Sequence, residues 1–126
     1  MASDTHDRYV SNVLLYTVGD KPEYSIDVET VNVTSGMTTG AVLYDNAGTW
    51  ELVDVASTAS AAGVLVDENA IYGDLPTGNT SLKVAKRTCA VSANYLSYAA
   101  DVDTQGEKDA VNDVLEAAGI KVDTTV

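Results

Sequence analysis

The residue types that carry most enzyme chemistry are scarce in this chain. It has one histidine, His6, and one cysteine, Cys89, among its 126 residues. A nucleophilic site needs an imidazole held beside its partner, but His6 lies in a polar N-terminal stretch that we interpret as mobile. Cys89 lies in an apolar strand pattern, which is typical of a buried, unreactive thiol. We therefore expect no catalytic residues and no enzymatic activity.

One acidic segment, Asp101–Asn112, partly follows the spacing of a calcium-binding loop. Asp101 and Asp103 fit the first and third positions, but Asn112 stands where a bidentate Glu is needed. We interpret these acids as the N-terminal end of a helix, where negative charge is favourable. A calcium-binding adhesion or tail module stays open as an alternative, and we expect no metal and no cofactor.

The other candidates for binding chemistry are also weak. Gly36 to Gly40 opens a strand and not a helix, so it does not have the arrangement of a phosphate-binding loop. Lys86–Arg87 is the one basic pair in the chain. It fits a solvated pair that guards a strand edge, and a contact with an acidic partner surface is the second interpretation.

Composition excludes several classes of partner. The formal net charge is −12, with 19 Asp and Glu against seven Lys and Arg. Such a surface repels phosphate backbones and anionic lipids, so we expect neither nucleic acid nor membrane as a partner. The start of the chain does not have the pattern of a signal peptide, and we expect the protein to be cytosolic where it is made. A hydrophobic content of 45% is enough for the core of one domain.

The central third of the chain predicts three strands. Ala41–Tyr44 is an apolar strand, and Asp45–Gly48 favours a turn with a loop of about three to five residues. A second strand starts at Trp50. A connection of small residues then leads to a third strand, Ala61–Val66.

The N-terminal quarter has two interpretations. Tyr24–Glu29 alternates between apolar and polar residues, as a half-buried strand does. The apolar residues occupy even positions up to Val28 and odd positions from Val31 onward. The shift predicts a bulge or bend near Thr30. Residues 9–33 are either ordinary strands of the domain or, in part, an arm that adds a strand to a partner's sheet.

The C-terminal third has the clearest local signals. A turn-rich loop over residues 70–79 precedes a strand at Ser81–Val84, and a second parity change predicts a bulge before Cys89. Thr104 and Glu107 form a capping box. A helix should run from there to about residue 118, with Gly119 as its C-terminal cap and a short strand over residues 120–122. The predicted inner face of the helix is Ala110, Val111, Val114, Leu115 and Ala118.

The order of these motifs resembles the head decoration proteins of tailed bacteriophages, the family of the phage lambda decoration protein. The resemblance covers roughly residues 36 to 122. It rests on a Gly-led apolar strand, an Asp–Gly turn, an aromatic-led strand and an Ala–Gly–Val–Leu strand. The matching residues are Gly40, Val42, Leu43, Asp45, Gly48, Trp50, Asp54, Gly63, Val64, Leu65 and Glu68.

This resemblance implies a mainly β, β-clip-like, small α+β fold with short strands, hairpins and one short C-terminal helix. It implies a structural virion protein, a homotrimer that binds the major capsid protein on the outside of the expanded capsid and stabilises it against internal DNA pressure. Residues 1–35 would form the N-terminal arm and residues 36–126 the β domain, with Tyr24, Ile26 and Val28 as capsid contacts. Because dUTPases share the β-clip, a trimeric nucleotide hydrolase is a further alternative.

Overall fold

The computed structural model describes residues 13–16 and 25–124. The fold is mainly β, with a C-terminal α-helix, as the sequence predicts. Three 3-10 helices, Val55–Ser60, Glu68–Ala70 and Ala93–Tyr95, connect the strands. The strands are β1 Leu14–Tyr16, β2 Ile26–Val33, β3 Val42–Asn46, β4 Thr49–Leu52, β5 Ala61–Leu65, β6 Gly78–Ala85, β7 Cys89–Ser92 and β8 Ile120–Asp123, and the helix is α1 Gln105–Ala117.

Five of the strands close into a barrel in the order β2-β4-β3-β5-β6, and β1, β7 and β8 form a separate three-stranded sheet. β2 closes the barrel because it pairs antiparallel with β6 along all eight of its residues and parallel with β4 at Thr30 and Val31. Its pairing with β6 has no break in register, so the bulge predicted near Thr30 is wrong.

Two hydrophobic cores lie on opposite sides of the barrel wall. Leu43, Leu65 and Trp50 point into the barrel, whereas Val42 and Val64 point outward and pack under the three-stranded sheet and α1. Successive residues of a strand face opposite sides, so a strand buried on both faces reads as a continuous apolar run. The Val42–Leu43 and Val64–Leu65 pairs of the family-like motif are therefore the wall between the two cores.

The β3–β4 hairpin is tighter than its sequence predicts. Asn46 pairs with Thr49, so the loop has two residues, Ala47 and Gly48, both with positive φ. This is the geometry of a type I′ turn, whose twist matches that of the strands it joins. The Asp45 carboxylate accepts a hydrogen bond from the Gly48 amide at 2.7 Å. Asp45 thus stabilises the turn from a position inside β3. The predicted loop of three to five residues is wrong, because the loop has two residues.

The chain leaves the barrel between β6 and β7. The parity change there predicts a bulge, but the structure instead ends one strand at Ala85 and starts a strand of the other sheet at Cys89. Thr88 turns the chain with a φ of +47°, a conformation that is uncommon for a β-branched residue. Two sheets, and not one distorted strand, explain the parity change.

Helix α1 lies between the two capping signals that the sequence predicts. The Thr104 hydroxyl accepts from the Glu107 amide, and the Glu107 carboxylate accepts from the Thr104 amide. Gly119 follows the helix with a φ of +92°, and Ile120 beyond it is fully buried. The buried face is narrower than predicted, because Val111 and Leu115 are buried while Ala110 and Ala118 are exposed.

Candidate functional site

The proposed contact residues belong to β2 or lie next to it. Tyr24 lies outside the described residues. Val28 is 64% exposed, while Ile26 is half-buried and packs against the core beneath the three-stranded sheet. Of these two described residues, Val28 offers the more accessible apolar surface.

β2 has an inverted side-chain pattern in its first half. Asp27 and Glu29 share the barrel-facing parity of Val31, which is fully buried, whereas Val28 faces outward. A strand on a protein surface normally does the opposite and keeps its acids in water. The two carboxylates thus lie toward the barrel, where 40% of the Asp27 side chain and 24% of the Glu29 side chain remain exposed.

Lys86 and Arg87 neutralise these two carboxylates. Lys86 Nζ donates to Glu29 Oε2 at 2.6 Å and lies 3.2 Å from Asp27 Oδ2. Arg87 Nη2 donates to Asp27 Oδ2 at 2.8 Å. Hydrogen bonds from Arg87 and then from Lys86 lower the pKa of Asp27, and the hydrogen bond to Glu29 raises the pKa of Lys86. We call these four residues the ion cluster.

The ion cluster also covers the indole of the barrel core. Lys86 Nζ lies 5.4 Å from the centre of the Trp50 ring, within the range of a cation–π interaction. The Lys86 side chain is only 23% exposed. The interpretation of Lys86–Arg87 as a solvated pair is therefore wrong. Its acidic partners lie about sixty residues earlier in the same chain, and no local sequence pattern links the two segments.

The described residues that were candidates for catalysis or metal binding have structural roles in the fold. Cys89 is buried, and burial raises its pKa to about 11, so the thiol stays protonated at neutral pH. Asp101 accepts a hydrogen bond from the Val55 amide at 3.3 Å, at the start of a 3-10 helix. Among the described residues, no group of three His, Cys, Asp or Glu side chains is placed to hold a metal ion. His6 lies outside the described residues.

Comparison with known proteins adds the deciding observation. The family model of bacteriophage lambda head decoration protein D matches residues 5–120 of the 126. The chain belongs to this family. Among curated proteins, the search found no match.

As a head decoration protein, the chain is a structural protein of the phage head. The matched range starts at residue 5 and so includes the N-terminal quarter, which the sequence resemblance from residue 36 onward leaves out. The described helices include none with the length and apolar character needed to cross a bilayer. The barrel, the hairpin and α1 thus form the scaffold of a head decoration protein.

Proposed function

We propose that this decoration protein is a homotrimer that binds the major capsid protein on the outside of the expanded capsid and stabilises the shell against the pressure of packaged DNA. The observation that carries the proposal is the family match over residues 5–120. This role requires no catalytic group, since no covalent bond is made or broken.

A trimer strengthens weak contacts by multiplicity. When one copy is bound, the others face their sites at a high effective concentration, so three modest contacts hold more tightly than one. If only the expanded shell offers the sites, bound trimers also favour that shell by mass action. The protein thereby stabilises the mature capsid without strong contacts at any one site.

The charge of the chain suits the outside of a DNA-filled shell. A net charge of −12 gives no attraction to nucleic acid and favours solubility at high concentration. We propose that the chain is made in the host bacterial cytoplasm, has neither nucleic acid nor membrane as a partner, and ends in the virion.

The N-terminal segment is the proposed site of capsid contact, with Tyr24, Ile26 and Val28 as the contact residues. An arm from the part of residues 1–35 that precedes β2 would dock by adding a strand to a sheet of the shell. Ile26 and Val28 lie on β2, which already pairs with β6 along its length, so they would contact the shell through their side chains. Exposed Val28 suits a direct contact, while Ile26, two residues earlier on the same face, is half-buried against the core under the three-stranded sheet and offers less surface.

Co-sedimentation with expanded and unexpanded capsids of the source virus tests this function. We expect saturable binding to expanded shells only, and sedimentation equilibrium of the free protein at three times the chain mass. Equal binding to both shells would contradict the proposed selectivity for the expanded state. No binding to either shell would remove the function and leave the fold unaffected.

A further inference from the structure

The outward face of the β2–β6 pair differs from the rest of this acidic chain. Cross-strand partners on this face are Val28 with Lys83, Thr30 with Ser81, and Asn32 with Asn79. Their side chains are exposed, except that Asn32 is half-buried. We call these six residues the β2–β6 face.

The β2–β6 face has no carboxylate, although the chain has 19 Asp and Glu residues. The acids of β2 are not missing: Asp27 and Glu29 point the other way, into the ion cluster. At the margin of the face, the Glu68 carboxylate lies 4.0 Å from Lys83 Nζ. The six residues of the face therefore carry one positive charge and no negative charge, in a protein whose net charge is strongly negative.

This arrangement inverts the usual one for a strand at a protein surface. Val28 would normally be the covered side chain, but here Asp27, 40% exposed, and Glu29, 24% exposed, turn toward the barrel. The chain instead uses Lys86 and Arg87 to hold the acids inward, and Val28 stays at 64% exposure. An exposed apolar residue on a polar surface that lacks carboxylates is a feature of docking surfaces.

We propose that the β2–β6 face is the surface that contacts the capsid shell. This inference rests on the proposed function and deepens it, because it extends the contact from one strand to two. The face fits an uncharged protein surface rich in hydrogen-bonding groups, since Thr, Ser and Asn can both donate and accept. A strongly cationic partner would gain little here, because the acids of β2 are turned away.

The capsid fits this face better than a second copy of the chain does. Interfaces that hold permanent oligomers are large and more apolar than the general protein surface, whereas Val28 is the one large apolar side chain on the face. A small polar contact is weak alone, and it becomes effective when a trimer presents it three times. Val28 also continues the N-terminal segment proposed for capsid contact.

Two substitutions test the face. Val28→Asp puts a carboxylate on the face, opposite Lys83, where the opposite charge favours the pairing of β2 with β6. Asn79→Asp changes charge with almost no change in shape. Val55→Asp is the matched control, because Val55 is also exposed but lies on the 3-10 helix away from the face. Each variant is examined by co-sedimentation with expanded capsids, by sedimentation velocity and by circular dichroism.

We expect Val28→Asp and Asn79→Asp to stay folded and trimeric and to lose at least about tenfold in apparent affinity for the shell, with Val55→Asp unchanged. If both face variants bind like wild type, the assignment of the face is overturned while the proposed function stands. If they dissociate to monomers, the face is instead a contact between copies. If wild-type protein does not bind capsids, the proposed function fails and this inference fails with it.

Discussion

The ammonium of Lys86 lies 5.4 Å from the centre of the Trp50 ring while it donates to Glu29 at 2.6 Å. One side chain thus connects the strand that closes the barrel to the aromatic residue that fills it. Because Glu29 lies on β2, this contact helps to hold β2 with its acids inward and Val28 outward.

Replacing Lys86 should therefore destabilise the fold. Lys86→Met keeps most of the aliphatic packing but leaves Glu29 without its ammonium partner and removes the interaction with Trp50. We expect a loss of about 1–2 kcal/mol in the free energy of unfolding, between the values for exposed and buried ion pairs. Urea denaturation followed by Trp50 fluorescence measures it. Lys83→Met is the control: its ion pair with Glu68 is long and exposed, so a loss as large as that of Lys86→Met would contradict the role of the ion cluster.

Acid should weaken the protein through the ion cluster. The pKa of Asp27 is lowered from its ordinary value of 3.8, mainly by the hydrogen bond from Arg87. A carboxylate with a lowered folded-state pKa stabilises the protein above its unfolded pKa, and the contribution is lost as pH falls through the folded value. We expect the melting temperature to fall below about pH 4, and to fall less steeply in Asp27→Asn. An identical acid profile in this variant would show that Asp27 does not contribute.

Gly63 should be intolerant of a side chain. A Cβ there would lie 2.7 Å from Val84 Cγ1 and 3.0 Å from the Trp50 ring. We expect Gly63→Ala to cost about 1–3 kcal/mol of unfolding free energy by overpacking the barrel. Adding Val84→Ala should recover part of that loss, and a double-mutant cycle measures the coupling. The control is Gly106→Ala in α1, where nothing lies within 4 Å; it should stabilise by about 0.5–1 kcal/mol.

The hairpin turn can be improved. Ala47 has a φ of +53° at the first position of the type I′ turn, where Asn is preferred. We expect Ala47→Asn to raise the free energy of unfolding by roughly 0.5–1 kcal/mol, because Asn tolerates the left-handed region better than Ala. Thermal unfolding compares the variant with wild type. A decrease would show that the turn has another geometry in solution.

Local features of this fold could be predicted from sequence because the interactions that create them are local. The capping box of Thr104 and Glu107 spans three residues, and the helix is where its pattern predicts. The apolar strand at Val42–Leu43 also forms where expected. In these cases the partner residue lies within the same short stretch of chain.

Features that depend on distant partners could not be predicted. The parity change between Val28 and Val31 predicts a bulge, but β2 continues without one and turns Asp27 toward the barrel, where Arg87, sixty residues later, pairs with it. Because these acidic partners are distant in sequence, the residues around Lys86–Arg87 predict a solvated pair. Barrel closure by β2 is equally non-local, because a parallel pairing with β4 leaves no signature in either strand.

Barrel closure also sets the order of events during synthesis. β2 leaves the ribosome early, but its main partner, β6, ends at Ala85. Translation must therefore pass that point before the barrel can close, and such long-range pairing is slow to form. Until then β2 has an unpaired edge, and Val31 and Val33, which the folded protein buries, are uncovered. Premature release or truncation before β6 should therefore yield a polypeptide prone to aggregation.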